Sequence, residues 1–84
     1  MSWRPALPAS TLLRHDRVRD AELLLMPERV VVLEGSAARV LRLCDGSRAV
    51  DEIVDELSRS FPGAPVAAEV PEFLARLRER GWLR

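Results

Sequence analysis

The feature that most constrains this chain is one block, Leu23 to Gly46, reading LLLMPERVVVLEGSAARVLRLCDG. Its first part is a short leucine-rich run. Pro27 and Glu28 break that run with a turn dipeptide, because proline presets the backbone angle a turn needs. A β-branched run, Val30 to Leu33, follows. After the polar break Glu34-Gly35-Ser36, Ala37, Val40, Leu41 and Cys44 recur at i, i+3, i+4 and i+7, the spacing of one helical face. Asp45-Gly46 then stops the helix. A chain built around this block places strands before helices.

The flanking segments extend that order. Residues 1–10 carry Pro5 and Pro8 without periodicity and predict an extended, poorly ordered arm, with Trp3 as its anchor. Residues 11–84 form a single domain. Thr11 to Asp16 predicts a first strand, Arg17 to Asp20 a charged turn, Ala21 to Met26 a second strand and Arg29 to Leu33 a third. Their short connections imply antiparallel pairing. Alternation puts Val30 and Val32 on one face of the third strand, and Val31 and Leu33 on the other. A strand apolar on both faces is covered on both, or expects something to cover it.

Three helices follow. Ser36 is the expected N-cap of the first and Gly46 its stop. In the second, Val50, Ile53, Val54, Leu57 and Phe61 form a stripe, with Asp51, Glu52, Asp55 and Glu56 outside it. Ser47 is its expected cap, and Pro62-Gly63 ends it. The third uses Val70, Phe73, Leu74 and Leu77 and closes at Gly81. Pro71 costs about 3 kcal/mol in a helix interior, which places the start near Ala67 to Val70, with Pro71 in the first turn. Trp82 and Leu83 then fold back as an apolar clasp. The fold class is α+β, with three N-terminal antiparallel strands, three helices and one core.

Composition narrows the function. A chain of 84 residues with 48% hydrophobic content holds one small core, which a dimer or partner would help to stabilise. Thirteen basic residues, all arginine, balance thirteen acidic ones, so phosphate-backbone attraction does not dominate. The start has no hydrophobic signal region, and the apolar runs are too short to span a bilayer. One cysteine allows no internal disulfide and fits a reducing cytoplasm.

Catalytic chemistry is not written in the residues. His15 is the only histidine and Cys44 the only cysteine, so no four-ligand zinc site is spelled out and no metal is expected. Cys44 lies on an apolar stripe and reads as a small buried hydrophobe. His15 has no evident nucleophile or orienting partner. The four glycines are scattered, leaving no phosphate loop. No catalytic residue and no cofactor site is expected.

The phrases RHDRVRD (Arg14 to Asp20), LLMPERV (Leu24 to Val30), AARVLRLCDGSRAVDEIVDEL (Ala37 to Leu57) and FLARLRERGWL (Phe73 to Leu83) together resemble the PqqD family, the small peptide-binding proteins of pyrroloquinoline quinone biosynthesis. The resemblance implies a fold like a winged helix-turn-helix. It also implies a non-enzymatic role: binding a ribosomal precursor peptide and presenting it to a radical S-adenosylmethionine enzyme that joins a glutamate to a tyrosine. On that resemblance the peptide adds as a strand at Arg29, Val30, Val31, Val32 and Leu33, against a helix wall of Phe73, Leu74 and Leu77. The chain departs from the family pattern at Pro71, where an ordinary helix former is usual, and at Ala49, where threonine or serine is common.

Strand addition fits the empty catalytic inventory, since main-chain hydrogen bonds supply affinity and side-chain pockets supply selectivity. Arg29, Arg76, Arg78 and Arg80 are either partners for acidic peptide residues or a solvated face, the latter being the simpler reading. Two other functions share the fold. A winged-helix nucleic-acid binder would need a basic recognition helix, whereas the second helix is acidic. A dimerisation module would exchange the arm and first strand between copies, which is compatible with peptide binding.

Overall fold

A computed structural model of the chain describes residues 2–84. Strands β1 (Leu12–Asp16), β2 (Ala21–Met26) and β3 (Arg29–Leu33) precede helices α1 (Ala37–Arg42), α2 (Val50–Ser60) and α3 (Val66–Glu79), the order the sequence predicts. The strands form one antiparallel sheet in the order β1-β2-β3, so β3 has a neighbour on one side only. In register, Leu23 faces Val32, Leu24 faces Val31, Leu25 faces Val30 and Met26 faces Arg29.

Both hairpin turns have local causes. Between β1 and β2 the Asp16 carboxylate accepts from the N–H groups of Val18 and Arg19, and Asp20 takes φ 51°. Aspartate tolerates that left-handed angle better than most residues. Between β2 and β3 only Pro27 and Glu28 intervene. Thr11, expected in the first strand, lies just outside it; it is buried, and its N–H donates to the Pro8 carbonyl.

One face of the sheet meets the helices. Leu24, on that face, is buried with Leu41, Ile53, Leu57, Val70 and Leu74, and Val31 and Leu33 pack against this cluster half-buried. The opposite face is open apart from Leu23, which is buried on it at the centre of the sheet. Leu12, Val30 and Val32 project from it at 60%, 59% and 52% exposure. Of the two outcomes expected for a strand apolar on both faces, the described residues leave the outer face uncovered.

Three expectations about helix ends are corrected. The Ser36 hydroxyl caps nothing on α1, and Ser47 does not cap α2. The Ser47 hydroxyl donates instead to the Asp45 carboxylate, and Ala49 holds the cap position. Glu52 compensates in part by accepting the Ala49 N–H at 2.8 Å, with Asp51 beside it in the first turn.

Pro71 sits inside α3, beyond its first turn. Val66, Val70, Leu74 and Leu77 are all buried on one face, and their packing outweighs the local proline penalty. The N-terminal arm is extended but pinned. Ala6 and Arg84 exchange backbone hydrogen bonds at 3.2 and 2.9 Å, the Gly46 N–H donates to the Pro5 carbonyl, and the Trp3 indole donates to the Arg84 carbonyl. The prolines exclude helix here without preventing docking.

The close of α3 follows from Gly81. The Gly81 N–H donates to the Arg78 carbonyl at 3.0 Å and the Trp82 N–H to the Leu77 carbonyl at 2.9 Å, a Schellman closure. Gly81 adopts φ +80°, and a Cβ there would meet nothing within 4 Å. The strain of Gly81→Ala is therefore purely conformational. The substitution is expected to cost about 1–2 kcal/mol, read as a Tm lowered by roughly 5–15 °C. Gly63→Ala, at an unstrained and open position, is expected to change little on the same thermal melt. The turn at Gly81 carries Leu83 into the core and Trp82 onto its rim, the apolar clasp anticipated from the sequence.

Candidate functional site

The open edge of β3 follows from hydrogen-bond alternation. A two-residue turn closes with a bond between its flanking pair, here Met26 and Arg29. In an antiparallel ladder, bonded and non-bonded pairs alternate, so Leu24–Val31 and Glu22–Leu33 are the other bonded pairs. The main-chain N–H and C=O of Val30 and Val32 therefore point away from β2, toward the free edge. That edge offers hydrogen-bonding groups to another strand.

Two cavities join β3 to α3, and their linings set the C-terminal end of β3 by the first half of α3 and its N-terminal end by the residues that close α3. At the C-terminal end of β3, Glu34, Ala37 and Val40 join Glu69, Val70, Glu72, Phe73 and Arg76 around a cavity of about 420 Å³. At its N-terminal end, Met26 to Arg29 join Arg80, Gly81 and Trp82, together with Pro8, Ser10 and Thr11 ahead of β1, around about 390 Å³. Two guanidiniums flank the Trp82 ring there, Arg29 at 5.9 Å and Arg80 at 5.5 Å from its centroid. Such contacts hold the ring and both cations at the mouth of the cavity.

The residues expected at the site separate into three groups. Arg29, Val30 and Val32 are exposed at the edge, while Val31 and Leu33 turn toward the core. Phe73 is partly exposed and lines the larger cavity. Leu74 and Leu77 are 0% and 6% exposed and belong to the core, so they support the wall without presenting a surface.

The wall has members that sequence reasoning did not single out: Glu34, Glu69 and Glu72. A signal for one of them, Glu69, was present. Glu69, Phe73, Arg76 and Arg80 recur at i, i+4, i+7 and i+11, a second stripe beside the buried one. Trp82, read as a clasp, also turns out to line a cavity.

Groups that might have suggested catalysis are otherwise engaged. Both ring nitrogens of His15 face carboxylates, Nδ1 to Glu22 at 3.1 Å and Nε2 to Asp20 at 3.5 Å. This corrects the expectation that it lacks an orienting partner. Glu22 is shared with Arg42 at 2.6 Å, which ties the sheet to α1. Partial desolvation works to raise the Glu22 carboxyl, but hydrogen bonds from Arg42 and His15 outweigh it and hold the group below its usual range. Its contribution to folding is present above that usual range and is lost as the pH falls through the lowered value.

Cys44 is buried, with its Sγ 3.4 Å from the Val40 carbonyl oxygen. Burial, helped by the Asp45 charge, pushes its thiol up to about 12. It stays a protonated, weakly nucleophilic thiol at neutral pH. Keeping it neutral favours the fold below about pH 9, an advantage lost as the pH climbs toward 12. Among the described residues, no group of three or more His, Cys, Asp or Glu is placed to hold a metal. Among the described residues, no helix is long and apolar enough to cross a membrane.

This geometry can be set beside known proteins. Residues 23–83 match the family model described as Coenzyme PQQ synthesis protein D (PqqD). A protein of Gluconobacter oxydans named PqqA binding protein is 42% identical over 84% of this chain and 76% of its own length. Its namesake from Xanthomonas oryzae pv. oryzae is also 42% identical, over 96% of this chain and 90% of its own. The fold resembles the solution NMR structure of the PqqD truncation of Methylobacterium extorquens PqqCD. That structure is described as a functional, stand-alone recognition element for ribosomally synthesized and post-translationally modified peptides. It has a TM-score of 0.75 and 35% identity, over 95% of this chain and 87% of that one. The crystal structure of PqqD from Xanthomonas campestris is also similar, with a TM-score of 0.57 and 36% identity over 94% and 90% of the two chains. With a family model spanning most of its length and relatives this similar over nearly all of it, the chain belongs to the PqqD family.

Proposed function

We propose that this protein is a non-enzymatic peptide chaperone of pyrroloquinoline quinone biosynthesis. It binds the precursor peptide PqqA as an added strand along β3 and presents it to the radical S-adenosylmethionine enzyme of the same pathway. Relatives named PqqA binding protein support the choice of peptide. The observation that carries the binding mode is the free main-chain edge of Val30 and Val32, set beside the α3 wall with Phe73 on it.

A strand added there draws affinity from backbone groups. Its side chains alternate between the α3 groove and the open face bearing Val30 and Val32. The Arg29 to Leu33 edge therefore supplies binding, while Phe73 supplies selectivity. Leu74 and Leu77 act from the core, by holding the wall in place.

Calorimetry with synthetic PqqA tests the binding, and turnover of PqqA by the modifying enzyme with and without this protein tests presentation. The proposal fails if PqqA releases no binding heat and its modification is indifferent to the protein. The acidic outer face of α2 argues against the nucleic-acid reading. Arm exchange between copies would first have to break the Ala6–Arg84 and Gly46–Pro5 bonds.

A further inference from the structure

We infer that the groove between β3 and α3 reads the order of charges along the bound peptide. It takes a basic peptide residue at the Glu34–Glu69–Glu72 end and an acidic one at the Arg29–Arg80 end. This rests on the strand-addition reading and specifies the class of segment the groove accepts.

Opposite charge at the two ends carries the argument. The larger cavity is rimmed by Glu34, Glu69 and Glu72 against one cation, Arg76, over an apolar floor that includes Val70 and Phe73. Among the described residues, none of these four charged groups lies within ion-pair distance of a partner, whereas Asp16, Glu22, Asp45 and Glu56 all do. A lysine or arginine suits such a pocket, laying its methylene stem on the floor and its head among the carboxylates. The smaller cavity, under the β2–β3 turn and lined on its other side by Pro8, Ser10 and Thr11, has the reverse balance: Arg29 and Arg80 beside Trp82, with Glu28 as the one acid. Arg29 and Arg80 likewise have no carboxylate partner among the described residues. A peptide carboxylate there meets two guanidiniums already held on an indole face.

The spacing suits a single strand. From Glu69 to Arg80 the helix rises roughly 16 Å, at 1.5 Å per residue. The five residues of β3 span about the same length, near 3.3 Å each. A peptide of about five or six residues paired to β3 thus reaches both ends at once. A segment with its charges in the opposite order meets like charge at each, which works against the wrong direction of binding.

The test is calorimetry with synthetic PqqA on wild type, Glu69→Gln/Glu72→Gln, Arg29→Gln/Arg80→Gln and Val32→Pro, each checked for folding by circular dichroism. Each glutamine pair is expected to weaken binding about three- to tenfold and to flatten its salt dependence. Against PqqA with its lysines and arginines changed to glutamine, the Glu69→Gln/Glu72→Gln variant is expected to cost nothing further. Unchanged or tighter binding by both glutamine pairs, with Val32→Pro still defective, overturns the charge reading and leaves strand addition standing. Full binding by Val32→Pro, or no binding by wild type, overturns the shared premise.

Discussion

Val32→Pro is expected to weaken PqqA binding by about ten- to a hundredfold while leaving the domain folded. The estimate comes from removing one main-chain donor and leaving the peptide's carbonyl without its partner, worth about 1–3 kcal/mol. The fold is spared because the Val32 N–H points to the open edge, and edge positions tolerate proline. Val31→Pro removes a donor of the β2–β3 ladder instead, and is expected to damage folding itself. Val32→Thr keeps the N–H, and binding is expected to stay within about threefold of wild type. Calorimetry alongside thermal melts separates these cases. Equal binding by Val32→Pro and wild type would remove β3 from the site.

The second large effect divides the α3 residues. Leu74 is fully buried. Leu74→Ala is expected to cost about 2–5 kcal/mol through lost burial and the cavity left behind. Against total stabilities of about 5–15 kcal/mol for domains of this kind, that takes a large share of the fold. A Tm lower by roughly 10–30 °C is the readout. Phe73→Ala, at the groove surface, is expected to lower the Tm far less and to weaken PqqA binding several-fold. A small melt shift for Leu74→Ala, with lost binding, would return Leu74 to the groove surface.

That division shows what the sequence could and could not convey. The run Val30 to Leu33 announces a strand, and Pro27-Glu28 announces the turn before it, because both signals are local. That β3 is an edge, and that Val31 and Val32 differ in where their N–H groups point, depends on strand order and register, which no single strand's pattern contains. Periodicity marked Phe73, Leu74 and Leu77 as apolar, but it could not tell the buried stripe from the one next to it. Phe73 lies on the stripe with Glu69, Arg76 and Arg80; Leu74 and Leu77 lie on the other.

The helix ends failed for a different reason. Ser36 and Ser47 are good capping residues by type, yet the Ser47 hydroxyl goes to Asp45, and Ala49 relies on Glu52. Competition between nearby partners decides a cap, and composition does not rank them. The local penalty of Pro71 points to a later start for α3 than the burial of Val66 allows. The arm's prolines exclude helix, and an extended segment can still dock. Its partners, Gly46 and Arg84, are far away in the chain.

The most direct test of the central claim is an NMR titration of the 15N-labelled protein with PqqA. The account predicts amide shifts concentrated at Val30, Val32, Phe73 and Trp82, with the amides of Val30 and Val32 becoming protected from hydrogen exchange. Shifts confined to other surfaces, or edge amides that exchange as freely with PqqA bound as without it, would contradict strand addition at β3.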